Sequence, residues 1–513
     1  MDTTRAPTQH AMTTELVSSP ANILSSDRIR REPATLLLCL AFVAIALAIA
    51  QPNWSQPPVW DGAMSVYPAA TTLVRDDVTI GALLRMPGFQ AGGPNAAATS
   101  TYTWFVAGLI AATGSLEAAL PILHFSSTVL LASIGLGTFL IGRHWLTTRG
   151  AFAAAVAVML FPAMVVQARD IYTDLPITAA AVWVQYFVVT RKLGWAALIA
   201  ALGATVKPTA GLLALLLIGA YGATWTKRLI AAVPTASIAF LPLAIGAAGG
   251  TSGSIAERLS FNGLASLVTL LSMPEVLVMI VVFGRLIVAT RAADPKRGDL
   301  GVTIRSSALL VFGFLIFFAL NPAVTRGFQL LPRYLILILP ALCLGLSAAS
   351  TFLLPRRTAL LPCAFIVIFA INQFGILYPH FPFYPYAERS RSYEELLLLQ
   401  KESFAAFAGL AAEQTVLVDH FTYYRFAYPT GWSDGPPSSM VNLYTHGPLT
   451  SESLDHLPDR FSLMIEATYL GGPELIEIRD AAAASQQWTV ETVYFERGDA
   501  VIEISTLNRL PSS

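Results

Sequence analysis

Apolar stretches of about 20 residues recur along most of the chain, and each is long enough to cross a bilayer as a helix. They begin at residue 34 and stop near residue 378. Only 12% of the residues are charged, which is about half the share in soluble domains. The pattern therefore predicts an all-α polytopic membrane bundle of about eleven spans, near 34–51, 118–141, 151–168, 175–190, 194–206, 209–225, 229–248, 275–290, 304–321, 334–353 and 358–378.

Charge and cysteine content exclude several other classes of protein. The chain carries 32 basic and 32 acidic residues, so its bulk charge indicates no nucleic acid or other polyanionic partner. The three cysteines, Cys39, Cys343 and Cys363, lie in apolar runs without metal-binding spacing, and the seven histidines are scattered. We therefore expect no disulfide framework and no metal site.

The basic residues of the short loops predict the orientation of the chain. Placing the N-terminus inside collects most of them on the cytoplasmic side, among them Arg28, Arg143, Arg191, Lys227 and Arg356. The opposite topology reverses this bias. With an odd number of spans, the C-terminus lies outside.

Composition divides the chain into three predicted regions. Residues 1–33 are polar and predict a disordered cytoplasmic tail, while residues 34–379 form the transmembrane module with a long first outer loop, 52–117. Residues 380–513 predict a small α/β extracytoplasmic domain. Its elements are a helical pattern over Tyr393–Leu410 and four strands, Thr415–Val418, Phe461–Ile465, Val490–Phe495 and Ala500–Ile504.

Charged groups at four places on the predicted outer side need an explanation, because polar residues are costly at membrane depth. The first place is Asp61, which precedes an amphipathic helical pattern from Ala63 to Val74 that includes Tyr67. This helix is suited to lie on the membrane surface. Asp61 is either the N-cap of that helix or a functional carboxylate.

The second place is the very short outer turn Arg169-Asp170-Ile171-Tyr172-Thr173-Asp174 between two apolar helices. Asp174 precedes Leu175-Pro176, so it fits a helix cap. Two carboxylates beside an arginine also form a site that can hold a partner group. Both interpretations remain open from the sequence.

The third and fourth places carry basic residues. Lys207-Pro208 interrupts a long apolar stretch, and such broken helices often end at ions or anionic substrates. Snorkelling of Lys207 to the interface is an equal alternative. Arg333-Tyr334 opens a late span. Arginine suits bidentate phosphate contact, while tyrosine also belongs to interfacial aromatic belts.

The order of these motifs resembles the polytopic type C glycosyltransferases of the protein O-mannosyltransferase and lipid A aminoarabinose transferase group (glycosyltransferase family 39-like). In that group an acidic residue opens the first outer loop, then an R-x-x-x-x-D-x-P segment follows, then a Lys-Pro break, then an Arg-Tyr pair. The corresponding residues here are Asp61, Arg169 with Asp174, Lys207-Pro208 and Arg333-Tyr334. The resemblance covers residues 34 to 350. It departs from the group's pattern at Gly62, where the group often has a second carboxylate, and around Pro94–Trp104.

The resemblance implies transfer of a sugar from a polyprenyl-phosphate donor to a hydroxyl of a lipid, glycan or protein acceptor at the outer membrane face, with inversion at the anomeric carbon. It implies Asp61 as the base, Asp174 as the residue that orients the acceptor or a basic partner, and Lys207 and Arg333 as ligands of the donor phosphate. Arg169, Asp170, Tyr67 and Tyr334 would support them. No cofactor is implied beyond the lipid-linked sugar, and the location implied is the bacterial inner membrane, in cell-envelope glycosylation.

Two other classes of function remain open from the sequence. A secondary transporter of an anionic or lipid-linked substrate shares broken helices and buried charges. However, transporters usually show repeat symmetry, and the long first outer loop and the large C-terminal region are unusual for them. A non-catalytic membrane scaffold would tolerate loss of Asp61, whereas a glycosyltransferase would not.

Overall fold

The computed structural model of the chain is mostly helical, with a small sheet in the C-terminal region. It describes residues 33–50, 54, 66–75, 100–220, 223–248, 281, 284, 298–319, 332–353, 399, 402–403, 406, 409–411, 413–418, 439–442, 454, 457–466, 473–498 and 500–511. Asp61, the tail 1–33 apart from Pro33, and nearly all of the spans expected at 275–290 and 358–378 lie outside these residues.

The described helices follow the predicted spans closely in the first half of the chain. Their bounds are α1 Pro33–Ala50, α2 Tyr67–Arg75, α3 Thr101–Thr113, α4 Leu116–Gly142, α5 Thr148–Met159, α6 Pro162–Ala168, α7 Asp174–Val189, α8 Leu193–Val206, α9 Leu213–Ile218, α10 Trp225–Ala248, α11 Gly298–Ala319 and α12 Leu339–Leu353. Two 3-10 helices, Pro208–Leu212 and Pro332–Leu337, precede α9 and α12.

Three differences from the predicted spans have local causes. The span expected at 151–168 is two helices, because Pro162 cannot continue α5 and instead begins α6. The span expected at 209–225 is a 3-10 helix followed by α9, which ends at Ile218. Helix α3 was not predicted; Ser100 caps its start by accepting from the Tyr102 amide, and Gly114 ends it with φ 81°.

Two described helices are long and apolar enough to cross a membrane by length and composition, and they cover Leu116–Gly142 and Leu300–Phe317. Several helices also expose large apolar side chains spaced three or four residues apart, which forms a stripe along one helix face. The members are Leu37, Leu40 and Val43 of α1, Ile122, Phe125 and Val129 of α4, and Trp195, Leu198 and Leu202 of α8. Such stripes are typical of surfaces that face lipid. The number of spans and the side of each loop stay predictions.

The bundle packs closely around α7. A side chain at Gly137 of α4 would collide with Val182 of α7, so the two helices approach through the glycine. Gln185 of α7 donates to the Ser307 hydroxyl of α11 over 2.7 Å, and both side chains are buried. Helix α8 packs antiparallel beside α7 after a three-residue turn, so the end of α8 returns to the start of α7. This arrangement positions the candidate site.

The C-terminal sheet has five described strands, β1 Thr415–Val418, β2 Met440–Asn442, β3 Arg460–Glu466, β4 Trp488–Arg497 and β5 Ala500–Arg509, in the order β2-β1-β3-β5-β4. Strand β1 pairs in parallel with β2 and β3, while β5 is antiparallel to β3 and β4. All four predicted strands are present. The short β2 and helix α13, Pro473–Ala484, which packs on the sheet through Leu475 and Ile478, were not predicted.

Candidate functional site

The charged turn between α6 and α7 places Asp174 at the start of α7. Thr173 occupies the cap position without a side-chain capping bond, and Asp174 is the first helical residue, so the carboxylate does not cap the helix. It is 3% exposed. A negative charge in the first turn is favoured by the helix dipole. Asp174 therefore lies at the N-terminal end of α7, and its side chain contacts a residue from another helix.

That neighbour is Lys207. Its ammonium lies 2.5 Å from Asp174 Oδ1, and the side chains of the lysine and the aspartate are 19% and 4% exposed. Lys207 ends α8 in an extended conformation, with φ −155° and ψ 136°, as expected for a residue before proline. The break in the apolar stretch thus places the Lys207 ammonium next to the buried Asp174 carboxylate. The structure shows an ion pair at the break.

Tyr172 completes this arrangement and was not predicted from the sequence as a site residue. The Lys207 ammonium lies 4.8 Å from the centre of the Tyr172 ring, within the range of a cation–π contact. The available signal was an aromatic residue two positions before Asp174 in a turn of very few residues. Tyr172 and the Asp174 carboxylate together orient the lysine ammonium.

One oxygen of the pair has no hydrogen-bond partner in the part of the chain that the structure describes. Asp174 Oδ2 is buried and accepts no hydrogen bond from the described residues. A buried polar atom without a partner costs about 1–3 kcal/mol. The hydroxyl of the preceding residue, Thr173, is also buried without a hydrogen bond among these residues. Each of the two groups is suited to bond a ligand hydroxyl or water.

Arg169 and Asp170 attach the charged turn to its surroundings. Arg169 Nε donates to the Ile49 carbonyl at the end of α1 over 2.9 Å. Asp170 Oδ1 accepts from the Ile171 amide over 2.7 Å, and its backbone carbonyl accepts from the Ser127 hydroxyl of α4 over 3.2 Å. The turn is thus fixed between α1 and α4.

Tyr67 lies in a small apolar cluster next to this turn. The cluster joins α2, α3, the start of α4 and Ile171, and Tyr67 and Tyr102 are both buried in it. Burial raises the pKa of the Tyr67 phenol, and Tyr102 and Asp170 raise it further. Tyr67 is therefore a neutral phenol at ordinary pH. The predicted amphipathic helix is present, and its apolar face packs on α3.

The outer-loop helix α3 is bonded directly to the chain around Lys207. The Ser100 hydroxyl donates to the Val206 carbonyl over 2.7 Å, and the Thr101 and Thr205 hydroxyls lie 3.0 Å apart. These bonds link the loop between α1 and α4 to the break at Lys207-Pro208. The loop thus contributes one wall of the site.

Arg333 and Tyr334 lie in the 3-10 helix Pro332–Leu337, which packs against α6 and α7. These are the helices on either side of the charged turn, so the backbone of Arg333 belongs to the same part of the bundle as Asp174.

Asp61 lies outside the described residues. Among the residues that the structure describes, no group of three or more His, Cys, Asp or Glu side chains is placed to hold a metal ion.

Comparison with known proteins finds similar solved structures. The chain is similar to ArnT from Cupriavidus metallidurans bound to undecaprenyl phosphate, with 13% identity, 91% and 97% of the two chains covered and a TM-score of 0.43. The apo ArnT structure gives 14% identity, 92% and 98% coverage and a TM-score of 0.43.

It is also similar to the oligosaccharyltransferase AglB from Archaeoglobus fulgidus in complex with an inhibitory peptide and a dolichol-phosphate. Here the identity is 12%, the coverage 91% and 73%, and the TM-score 0.41. No protein-family model and no curated protein matches the chain. ArnT and AglB are type C glycosyltransferases, and ArnT is a lipid A aminoarabinose transferase.

Proposed function

We propose that the chain is an integral membrane glycosyltransferase that moves a sugar from a polyprenyl-phosphate donor to a hydroxyl acceptor at the outer membrane face. The acceptor is a lipid, a glycan or a protein. The Lys207–Asp174 pair is the observation that carries the proposal, because it combines a partly exposed cation with a buried carboxylate at a helix break. The motif order supports the same proposal, as do the undecaprenyl phosphate and the dolichol-phosphate in the complexes of ArnT and AglB.

Lys207 stabilises the leaving group, which is the lipid phosphate. When the bond between the anomeric carbon and the phosphate oxygen breaks, its electron pair stays on the phosphate, whose negative charge increases. A cation that is already oriented stabilises that charge without reorganisation during the reaction. Asp174 and Tyr172 hold the Lys207 ammonium in position. Arg333 adds a second positive charge from the neighbouring 3-10 helix, and Tyr334 supports it.

Asp174 has a second role through its unpartnered oxygen. Oδ2 accepts a hydrogen bond from a hydroxyl of the acceptor or of the transferred sugar, which orients that group beside the phosphate. A buried carboxylate oxygen discriminates strongly in favour of a hydroxyl, because a ligand without one leaves the oxygen unpaired. Arg169, Asp170 and Tyr67 keep the surrounding turn and loop in place.

Asp61 accepts the proton of the attacking hydroxyl. The acceptor oxygen forms the new bond to the anomeric carbon from the side opposite the phosphate, so the configuration inverts. A carboxylate suits this role because it needs only to be ionised and within hydrogen-bond reach. The reaction uses no cofactor besides the lipid-linked sugar.

Substitution of Asp61 tests the proposal. Asp61→Asn should keep expression and folding but lower sugar transfer by at least about 100-fold, the usual contribution of a general base. Asp77→Asn, in the same predicted loop, is the matched control and should transfer normally. Full activity in Asp61→Asn would remove the proposed base.

Mass analysis of cell-envelope glycans and lipids, with and without the gene, would identify the sugar and the acceptor. A substrate that accumulates unmodified on one side of the membrane, with no glycan missing, would instead support the transporter alternative.

A further inference from the structure

Strand β4 is an outer strand of the described C-terminal sheet. Among the described strands it pairs only with β5, over its full length from Trp488 to Arg497. Val493 and Tyr494 at its middle are 58% and 56% exposed. A long exposed edge with apolar side chains is a template for pairing with another strand. Native proteins usually block such an edge, so the exposure of β4 indicates a binding site for another strand.

The hydrogen-bond pattern shows which residues of β4 face outward. The Leu510 amide donates to the Gln487 carbonyl over 2.7 Å, so this pair is hydrogen-bonded, and in an antiparallel ladder such pairs alternate. The odd-numbered residues of β4 therefore bond to β5. The N–H and C=O groups of the even-numbered residues, Thr492, Tyr494 and Glu496, point away from the sheet and are available to an added strand.

We propose that β4 pairs with β4 of a second copy of this chain, antiparallel, with Tyr494 on the two-fold axis. This register uses the outward groups of both strands, because it places Tyr494 opposite Tyr494 and Thr492 opposite Glu496 as hydrogen-bonded pairs. It also places Glu491 of each copy opposite Arg497 of the other. One strand thus presents a self-complementary sequence, which an isologous interface requires.

The side chains on one face of β4 support the same register. Val493 and Phe495 continue the apolar row of Ile504 and Ile502, their buried partners on β5. In the proposed pair Val493 of one copy lies opposite Phe495 of the other, so the row extends across the axis. Opposite charges and apolar pairs directly across two strands each contribute about 0.2–1 kcal/mol.

The existing contact of Arg497 is compatible with the pairing. Arg497 bonds to Glu402 of its own chain, and the two side chains are 42% and 56% exposed. A guanidinium has five donors, so Arg497 can bond both carboxylates.

A single strand pair buries less than the roughly 1,000 Å² of a stable interface, so the dimer is weak in solution. Tethering both copies to one membrane raises their effective concentration.

Disulfide crosslinking of the full-length protein in membranes tests the pairing. The three native cysteines are replaced by alanine, and Tyr494→Cys is compared with Thr489→Cys, an exposed position on the same strand. In the proposed register the two copies of residue 494 lie about 5.5 Å apart and those of residue 489 about 33 Å apart. Under mild oxidation Tyr494→Cys should give at least about tenfold more dimer, because only its separation suits a disulfide.

Charge exchange checks the register. In the Tyr494→Cys background, Glu491→Arg should lower the crosslinked fraction severalfold, and adding Arg497→Glu should restore it. Equal crosslinking at positions 494 and 489, no dimer from Tyr494→Cys in protein that still melts cooperatively, or a disulfide to a different protein would each overturn the proposal. None of these results bears on sugar transfer.

Discussion

Two ion pairs in the molecule have nearly the same geometry. Lys207 lies 2.5 Å from Asp174 in the helical bundle, and Arg479 of α13 lies 2.5 Å from Glu503 of β5 in the C-terminal sheet. In both pairs the carboxylate is buried, at 4% exposure, while the cation is 19% or 24% exposed. Distance and burial alone do not distinguish them.

The second carboxylate oxygen distinguishes the two pairs. Glu503 Oε1 accepts from the Ser505 hydroxyl over 2.6 Å, so both of its oxygens are bonded within the domain. Arg479 also contacts Asp480, and its hydrogen bond with Glu503 raises the pKa of the guanidinium. Asp174 Oδ2 has no partner among the described residues. A fully bonded pair stabilises a fold, whereas one with a vacant bond is suited to a ligand.

The largest expected difference is in catalysis. Asp174→Asn should lower sugar transfer by about 100-fold, because the displaced Lys207 ammonium no longer matches the donor phosphate. Glu503→Gln should leave transfer within about twofold but lower the free energy of unfolding by about 1.5–3 kcal/mol, since it weakens a charged hydrogen bond. Transfer assays and thermal melts of both variants measure this opposite behaviour. Equal losses of sugar transfer in Asp174→Asn and Glu503→Gln would contradict the distinction between a ligand-binding pair and a structural one.

A smaller effect is expected at Tyr172. Tyr172→Leu removes the ring face beside the Lys207 ammonium, and we expect the KM for the donor to rise about two- to fivefold with kcat little changed. Tyr172→Phe keeps the ring and should behave like the natural protein. If both variants lose the same activity, the phenol hydroxyl is important rather than the ring.

The outlines of the helices and strands were predictable from the sequence, because apolar periodicity marks them. Predictions failed where length or composition carried a weak signal. Helix α3 has only 13 residues, β2 has three, and α13 begins PELIEIRD, which is mixed in polarity. The break at Pro162 was visible in the sequence but lies inside a continuous apolar run.

The site was predictable as separate residues but not as a unit. Asp174 and Lys207 were each recognised by the cost of a charge among apolar helices. Their pairing follows from α7 and α8, helices of 16 and 14 residues joined by a tight turn, so that the first begins where the second ends. The contact with Tyr172 has only a weak sequence signal, an aromatic residue in a very short turn, and the unpartnered oxygen has none. Both depend on side-chain packing.

The most direct measurement is the affinity of the purified protein for undecaprenyl phosphate. Lys207→Ala should bind it at least about tenfold more weakly, as expected for loss of a charge-assisted hydrogen bond, and should bind the acceptor nearly normally. Lys207→Gln removes the charge but can still donate a hydrogen bond to Asp174, so it keeps the contact between the helices. It should also bind the lipid phosphate more weakly, which would show that the loss does not come from misfolding. Arg479→Ala, at the other ion pair, should bind the lipid phosphate as the natural protein does. Unchanged affinity in both Lys207 variants would contradict the assignment of this pair to the donor phosphate.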